Sequence, residues 1–249
     1  MAKEFLTGNE AFAHAALEAG VRVCAGYPGT PSSEVIETVA KEHAAGRAEG
    51  VHVEWSTNEK AALELLAGAA YSGARTLYTC KQVGLNVASD ALMSLNYVGV
   101  KGGTVLYVAD DPGPISSQTE QDTRRFAAFA KVPVFDPATP EQGCQMMSAA
   151  YELSEKYQTP VLMRPTTRVC HASTYFEVAE HTRRLQARFA LGYFPEALLC
   201  CAQRNQRASG FHCQRFLRER IRRIQPHVHR GRRCSVRHCC RRHFVRLYA

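Results

Sequence analysis

The feature that most constrains the fold is a regular alternation of short apolar segments with longer segments of helical periodicity. Apolar segments with the length and composition of strands occupy residues 21–25, 51–55, 76–80, 104–109, 132–135 and 161–164. Helical spacing of apolar residues occupies residues 9–20, 33–44, 59–71, 85–95, 118–131 and 140–156. Connections of this length exclude hairpins and predict right-handed crossovers between parallel strands. We therefore predict an α/β fold with a doubly wound, mostly parallel sheet of about six strands.

In a doubly wound sheet, ligands bind beyond the carboxyl ends of the strands. The segments that follow predicted strands, and therefore form the candidate site, are residues 26–33, 56–59, 81–84 and 110–117. Asn58 and the two hydroxyl residues before it offer N-cap side chains for a helix that begins at Glu59. The sequence thus places Glu59 at the start of a helix and at the predicted ligand-binding edge.

Charge divides the chain into two parts. Residues 1–180 carry 14 Lys and Arg against 21 Asp and Glu, a net charge of −7, whereas residues 181–249 carry 17 Arg, no Lys and two Glu, a net charge of +15. We predict one folded domain over residues 1–180, followed by a separate tail over residues 181–249.

The remaining general features predict a cytoplasmic protein. Four scattered cysteines precede the tail, as expected for buried thiols in a reducing compartment: Cys24, Cys80, Cys144 and Cys170. The first ten residues, MAKEFLTGNE, lack the apolar core of a signal peptide. No run of about 18 apolar residues occurs, so we expect no membrane span.

Five segments resemble one known family in the order of its motifs. They are GYPGTPSSEV (26–35), EWSTNEKAALELLAGAAYSGAR (54–75), KQVGLNVASDALMSL (81–95), ADDPGPISSQTEQDTRRFA (109–127) and PVLMRPTTRVCHAS (160–173). Over residues 5–175 the chain resembles the N-terminal domain of indolepyruvate:ferredoxin oxidoreductase α subunits, within the 2-oxoacid:ferredoxin oxidoreductases. This resemblance implies a thiamine-diphosphate-binding fold whose domain holds the aminopyrimidine end of the cofactor.

The resemblance also implies an activity and its partners. Enzymes of this family oxidatively decarboxylate arylpyruvates to acyl-coenzyme A and pass the electrons to ferredoxin. We therefore expect a β subunit, ferredoxin and coenzyme A as partners of the complete enzyme, in an oligomer without membrane contact. We expect no nucleic-acid partner and no metal site in this part of the chain.

Four residues match family positions with a role at the cofactor or the substrate. Glu59 matches the catalytic glutamate that hydrogen-bonds the pyrimidine ring and helps to form its imino tautomer. Gly84 and Val83 match residues that bind the cofactor, and Thr30 in YPGTP matches a threonine near the substrate. The alternative for Glu59 is an ordinary first-turn glutamate that complements the helix dipole, and the alternative for Thr30 is a plain structural turn.

Other positions keep open interpretations. Many relatives have His where this chain has Gln82, so the role of that residue is open. Residues 110–122 resemble a loop near the substrate, although a solvated acidic loop fits equally. Arg164 and Arg168 are candidates either for binding a carboxylate or for surface charge.

The chain lacks motifs that the rest of such an enzyme requires. It has no Gly-Asp-Gly run followed by Asn, which in this family binds the metal and the diphosphate, and no C-x2-C-x2-C-x3-C array for an iron–sulfur cluster. We therefore expect magnesium and iron–sulfur clusters in a part of the full-length subunit beyond this chain. The chain then supplies only the pyrimidine half-site and is predicted to be inactive alone, and the alternative is a non-catalytic homologue of this domain.

Three interpretations apply to the tail. Its arginines suit a nucleic-acid-binding module, although Lys is absent. A zinc site is conceivable from Cys234, His238, Cys239, Cys240 and His243, whose spacing lacks a C-x2-C knuckle. We favour a shifted reading frame that starts near residues 180–188, because Asp and Lys vanish together while Arg, Cys and His accumulate.

Overall fold

The structure, a computed structural model, describes residues 2–178. The three interpretations of residues 181–249 lie outside the described residues. The strands are β1 (Ala2–Thr7), β2 (Val23–Gly26), β3 (His52–Trp55), β4 (Thr76–Lys81), β5 (Thr104–Ala109), β6 (Val134–Phe135), β7 (Val161–Met163) and β8 (Ser173–Val178). The helices are α1 (Gly8–Glu18), α2 (Ser33–Ala44), α3 (Glu59–Tyr71), α4 (Gln82–Val87), α5 (Ser89–Val98), α6 (Thr123–Ala130), α7 (Pro140–Tyr157) and α8 (Thr167–His171).

Six strands form a wholly parallel sheet in the order β3-β2-β4-β5-β7-β6. Helices α3, α5 and α6 cover one face, where Leu63, Leu92 and Leu106 belong to one buried cluster. Helices α1, α2 and α7 cover the other face, where Phe12 of α1 meets Tyr107 of β5 edge to face at 5.4 Å. The predicted doubly wound α/β fold is confirmed, because all six predicted strands lie in this sheet.

A second, two-stranded sheet was not predicted. Strands β1 and β8 pair in antiparallel fashion, with Ala2 opposite Val178 and Thr7 opposite Ser173. Strand β1 opens the domain and β8 closes it, so the two are separated by nearly the whole domain in sequence. Their pairing is therefore a long-range contact that the local pattern of hydrophobic residues does not reveal.

Two predicted helices differ from those observed. The predicted helix 118–131 begins at Thr123, because the Asp122 side chain caps it by accepting from the Arg124 N–H at 3.0 Å. The predicted helix 85–95 is divided at Ala88 into α4 and α5. The predicted cap of α3 is confirmed, since Asn58 Oδ1 accepts from the Ala61 N–H at 2.8 Å.

The four cysteines of the domain are free thiols. Cys24, Cys80 and Cys170 are buried and Cys144 is half-buried. Burial raises the pKa of Cys24 to about 12, which keeps this thiol protonated and unreactive at neutral pH. Among residues 2–178, no helix combines the length and apolar character needed to cross a bilayer.

Candidate functional site

At the boundary between β2 and β4, the connections that leave the two strands run to opposite sides of the sheet. The chain leaves β2 through α2 toward β3 on one side, and it leaves β4 through α4 and α5 toward β5 on the other. A crevice beyond the carboxyl ends of the strands forms at such a topological switch point, and ligands of doubly wound proteins bind there. We call residues 26–30 after β2, residues 81–84 after β4 and Glu59 the β2/β4 cleft.

The structure brings Glu59 and Gly84 together. A Cβ atom placed on Gly84 would lie 2.6 Å from Glu59 Oε1 and 2.8 Å from Glu59 Cγ, so the carboxyl group rests directly on the backbone of Gly84. Glu59 is half-buried, and Val83 is half-buried beside Gly84 in α4. Two of the positions identified from the sequence as cofactor-binding are therefore in contact, and the third adjoins them.

Neutral side chains lie close to the carboxyl group of Glu59. Burial raises the pKa of Tyr78 and of Cys80, and the negative charge of Glu59 raises both further. Both groups therefore keep their protons at neutral pH. These two sheet residues that feel the charge of Glu59 are therefore uncharged.

Gln82, whose role the sequence left open, anchors a neighbouring loop. Its Nε2 donates to the carbonyl oxygen of Thr119 at 3.2 Å, and its backbone carbonyl accepts from Gln121 Nε2 at 2.7 Å. The side chain is fully buried, yet its Oε1 has no hydrogen-bond partner among residues 2–178. A buried acceptor without a partner within the protein is costly.

Thr30 is exposed at the cleft. Hydrogen bonds from buried residues fix its loop to the core. The Thr30–Pro31 peptide is cis, and the carbonyl oxygen of Pro31 accepts from Asn9 Nδ2 at 2.8 Å. The same amide group donates to Glu34 Oε2 at 2.8 Å, while the hydroxyl of Tyr107 donates to Asn9 Oδ1 at 2.5 Å. The loop is therefore a structural turn, and it also has the rigidity that a substrate-binding residue needs.

Sequence reasoning missed Asn9 and Tyr107. Asn9 is completely buried at the start of α1, and Tyr107 is completely buried in β5. A lone Asn inside an apolar helical pattern is the signal that could have singled out Asn9, because a buried amide requires partners. No local pattern indicates that those partners lie on β5 and in the loop after β2.

A second group of polar residues lies beyond β5 and β7. We call Asp110, Asp111, Thr123, Arg164 and Thr167 the β5/β7 cluster. Asp110 has no exposed surface, and its carboxylate accepts from Arg164 Nε at 2.7 Å and from the backbone N–H of Thr123 at 3.0 Å. The other guanidinium edge of Arg164 donates from Nη1 to Asp136 at 3.1 Å. The surface-charge interpretation of Arg164 is therefore wrong, whereas Arg168 is exposed on α8.

Asp111 holds the following loop in place. Its Oδ2 accepts from the backbone N–H groups of Ile115, Ser116 and Ser117 at 3.0–3.1 Å, and its Oδ1 accepts from the Thr167 hydroxyl at 2.8 Å. Burial opposes ionisation of Asp111, but these hydrogen bonds outweigh it and lower its pKa. The interpretation of residues 110–122 as a solvated acidic loop is wrong for its first two residues, because both aspartates are buried.

Metal-binding side chains do not gather within the described residues. In residues 2–178, no group of three or more His, Cys, Asp or Glu lies close enough together to hold a metal ion.

Comparisons with known proteins show the family of this chain. A family profile described as pyruvate flavodoxin/ferredoxin oxidoreductase, thiamine diphosphate-binding, matches residues 14–212. The indolepyruvate oxidoreductase subunit IorA of Methanothermobacter marburgensis is 51% identical over 176 residues, which are 71% of this chain and 28% of that protein. The IorA subunit of Thermococcus kodakarensis is 52% identical over 167 residues, 67% of this chain and 25% of that protein.

More distant proteins share the fold. A 2-oxoglutarate synthase subunit KorA of Methanothermobacter thermautotrophicus is 27% identical over 168 residues, 64% of this chain and 43% of that protein. A further match is the solved structure of the 2-oxoglutarate:ferredoxin oxidoreductase of Magnetococcus marinus with 2-oxoglutarate, coenzyme A and succinyl-CoA bound. The match covers 71% of this chain and 32% of that chain, with a TM-score of 0.60 and a sequence identity of 20%. The chain thus spans between a quarter and three tenths of the length of the two IorA subunits.

Proposed function

Because the chain belongs to the pyruvate flavodoxin/ferredoxin oxidoreductase family through a thiamine-diphosphate-binding domain, we propose that its β2/β4 cleft binds the aminopyrimidine end of thiamine diphosphate. The observation that supports this most is the contact between the carboxyl group of Glu59 and the backbone of Gly84 at the topological switch point. In this proposal, Glu59, Gly84 and Val83 bind the cofactor, and the domain ends near residue 180.

The residues of the cleft fit an aminopyrimidine. Gly84 carries no side chain that would displace Glu59, Val83 offers apolar surface beside it, and the unpartnered Oε1 of Gln82 is an acceptor for an amino group. Thiamine diphosphate, when bound, would supply a carbon nucleophile for the keto carbon of a 2-oxoacid, the addition that must precede loss of carbon dioxide. Glu59 is the catalytic residue of this chain, and its carboxyl group holds or exchanges a proton at a ring nitrogen.

We further propose that the complete enzyme oxidatively decarboxylates arylpyruvates such as indolepyruvate to acyl-coenzyme A, with ferredoxin as electron acceptor. The names of relatives that are about half identical to this chain support that substrate class. In this proposal Thr30 lies near the substrate. A β subunit, magnesium and iron–sulfur clusters complete the oligomeric enzyme.

The free, protonated thiols of the domain suit a reducing compartment, so we propose a cytoplasmic location. The aryl side chain of the preferred substrate is left open in this proposal, since other parts of the enzyme would complete its pocket.

A chimeric subunit tests the proposal. Residues 5–175 of this chain replace the matching part of the IorA subunit of Methanothermobacter marburgensis, and the product is assembled with its β subunit. We expect the chimera to bind thiamine diphosphate and to oxidise indolepyruvate with ferredoxin. Glu59→Gln should reduce turnover about 100-fold or more, as expected for loss of an acid–base group.

Glu64→Gln is the matched control, because Glu64 lies on the same helix and its side chain is 58% exposed. It should leave turnover unchanged, and both variants should change the free energy of unfolding by less than about 1 kcal/mol. Near-normal turnover of the Glu59→Gln chimera would show that Glu59 is not the catalytic carboxyl group.

A further inference from the structure

Lys81 places a positive charge in the β2/β4 cleft. It is the last residue of β4, and its Nζ lies 3.4 Å from the neutral Gln118 Oε1, at the limit of a hydrogen bond. No carboxylate within residues 2–178 forms an ion pair with it. Its ammonium group is therefore available to an anion from outside the domain.

The stem of Lys81 is held in place by the loop after β2. A Cβ atom on Gly29 would lie 3.1 Å from Lys81 Cγ and 3.2 Å from Lys81 Cδ, so the methylene groups pack against the backbone of Gly29. Thr30 follows in the chain, and its carbonyl oxygen accepts from the Ser116 hydroxyl at 3.4 Å. The stem of Lys81 is thus packed on this loop, and its ammonium group contacts a neutral amide oxygen.

Two other cations at this edge are already paired. Lys60 contacts Asp90 at 3.1 Å, and Arg164 contacts Asp110 at 2.7 Å. The exposed Arg168 has no ion pair within the described residues, but it follows β7, which is two strands from β4 and therefore about 10 Å away. Lys81 is the cation that adjoins the cleft itself.

An anion that enters the cleft needs such a cation. Glu59 contributes negative charge to the same cleft, and it would repel the carboxylate of a 2-oxoacid. A lysine ammonium offers three donors, and hydrogen bonds between charged groups are about twice as strong as neutral ones. Since Lys81 has no counterion of its own, binding a carboxylate breaks no existing ion pair.

We propose that Lys81 binds the carboxylate of the 2-oxoacid substrate and thereby restricts the cleft to 2-oxoacid anions. The proposal rests on the function proposed above, because it requires a 2-oxoacid substrate beside Glu59. The backbone of Gly29 holds the stem of the lysine in position, and Glu59 remains the acid–base group.

Chemical protection of the 249-residue chain tests the proposal without turnover. Lysines are acetylated with an N-hydroxysuccinimide ester, and the rate at each lysine is followed by peptide mass spectrometry. We expect 3-phenylpropionate to slow acetylation of Lys81 about threefold or more, and the neutral 3-phenylpropanamide to leave it unchanged. The exposed Lys41 and Lys131 report any general effect of the additive.

Kinetics of the chimeric enzyme give the second measurement. Lys81→Met should raise KM for indolepyruvate about 10- to 100-fold, while kcat changes less than about threefold. This pattern is expected because the lost charged hydrogen bond is made in both the ground state and the transition state. Lys81→Arg should recover most of the lost affinity. Arg168→Met removes an unpaired charge at the same edge and should change KM less than about twofold.

The outcomes separate this proposal from the function on which it rests. An unchanged KM of the Lys81→Met variant would overturn the role of Lys81, and so would an equal rise in the KM of the Arg168→Met variant. Either result would do so even if the chimera binds thiamine diphosphate and its Glu59→Gln variant is inactive. A chimera that neither binds thiamine diphosphate nor turns over would refute the function. In that case, protection of Lys81 by the carboxylate and not by the amide would still support an anion site, and equal or absent protection would reject it.

Discussion

The β2/β4 cleft and the β5/β7 cluster lie at the same edge of the sheet, and both are rich in polar side chains. They differ in whether those side chains form hydrogen bonds and ion pairs within the described residues. In the cluster, the carboxylate of Asp110 and the guanidinium of Arg164 are buried and bind each other, and Asp111 receives four hydrogen bonds. In the cleft, Lys81 has no ion pair among residues 2–178, and Gln82 Oε1 has no partner there.

This difference separates a structural role from a ligand-binding role. A buried charge that is fully paired within the chain stabilises local structure and has no capacity left for a ligand. A polar group that is held in place without a partner keeps that capacity. Polarity at the carboxyl ends of strands is therefore insufficient to identify a site, and the pairing of each group must be known.

The largest effect should come from breaking the β5/β7 cluster. Arg164→Met leaves the carboxylate of Asp110 buried without its cation, so we expect the free energy of unfolding to fall by about 3–5 kcal/mol in urea. Arg124→Met is the matched control, since Arg124 pairs with Asp122 and Asp136 on the surface with half of its side chain exposed. It should cost less than about 1 kcal/mol. A stable Arg164→Met variant with altered KM would place Arg164 in the substrate site and break the comparison.

A smaller loss of stability is expected when Asn9, which supports the loop at the cleft, is replaced. Asn9→Ala removes the donor to the Pro31 carbonyl and the acceptor of the Tyr107 hydroxyl, and it should reduce the free energy of unfolding by about 1–3 kcal/mol. Tyr107→Phe removes one of these hydrogen bonds and should cost less. If Asn9→Ala changed neither the free energy of unfolding nor the KM of the chimera, the loop around Thr30 would need no support from the core.

Gly84→Ala should separate activity from stability. The added Cβ would lie within 3.0 Å of three side-chain atoms of Glu59, which must move, and we expect turnover of the chimera to fall about 10-fold or more. Alanine favours a helix, so the free energy of unfolding should change little. Gly68→Ala in α3 is the matched control, because its Cβ would meet nothing within 4 Å. It should stabilise the chain by about 0.5–1 kcal/mol at full turnover. Full turnover of Gly84→Ala would mean that the position of Glu59 is not critical.

The smallest effect concerns pH. The hydrogen bonds to Asp111 outweigh its burial and lower its pKa. Its carboxylate therefore stabilises the fold at pH values above its unfolded pKa of about 4. This contribution is lost as the pH falls through the folded pKa. The difference in unfolding free energy between wild type and Asp111→Asn should therefore shrink between about pH 5 and pH 3. Glu120→Gln, at an exposed position of the same loop, should show no such change. A constant difference for Asp111→Asn would show that its charge does not stabilise the loop.

Local sequence patterns predicted most of the fold. Runs such as residues 104–109 are apolar throughout because their strand is covered on both faces. Helices α2 and α3 begin and end where periodicity places them, and Asn58 caps α3 as expected. The pairing of β1 with β8 was not predictable in this way, because it depends on residues far apart in the chain. The start of α6 was missed because Asp122 competes for the backbone through its side chain.

The sequence by itself determined the doubly wound fold, the family and the candidate residues Glu59, Gly84, Val83 and Thr30, since strand length, helical periodicity and motif order are local properties. The tertiary structure decided which charges are paired. Arg164 and Lys81 look alike in the sequence, as single cations after apolar strands. One is buried against Asp110 and the other is left without a counterion in the described domain, because ion pairing depends on which distant segments the sheet brings to the same edge.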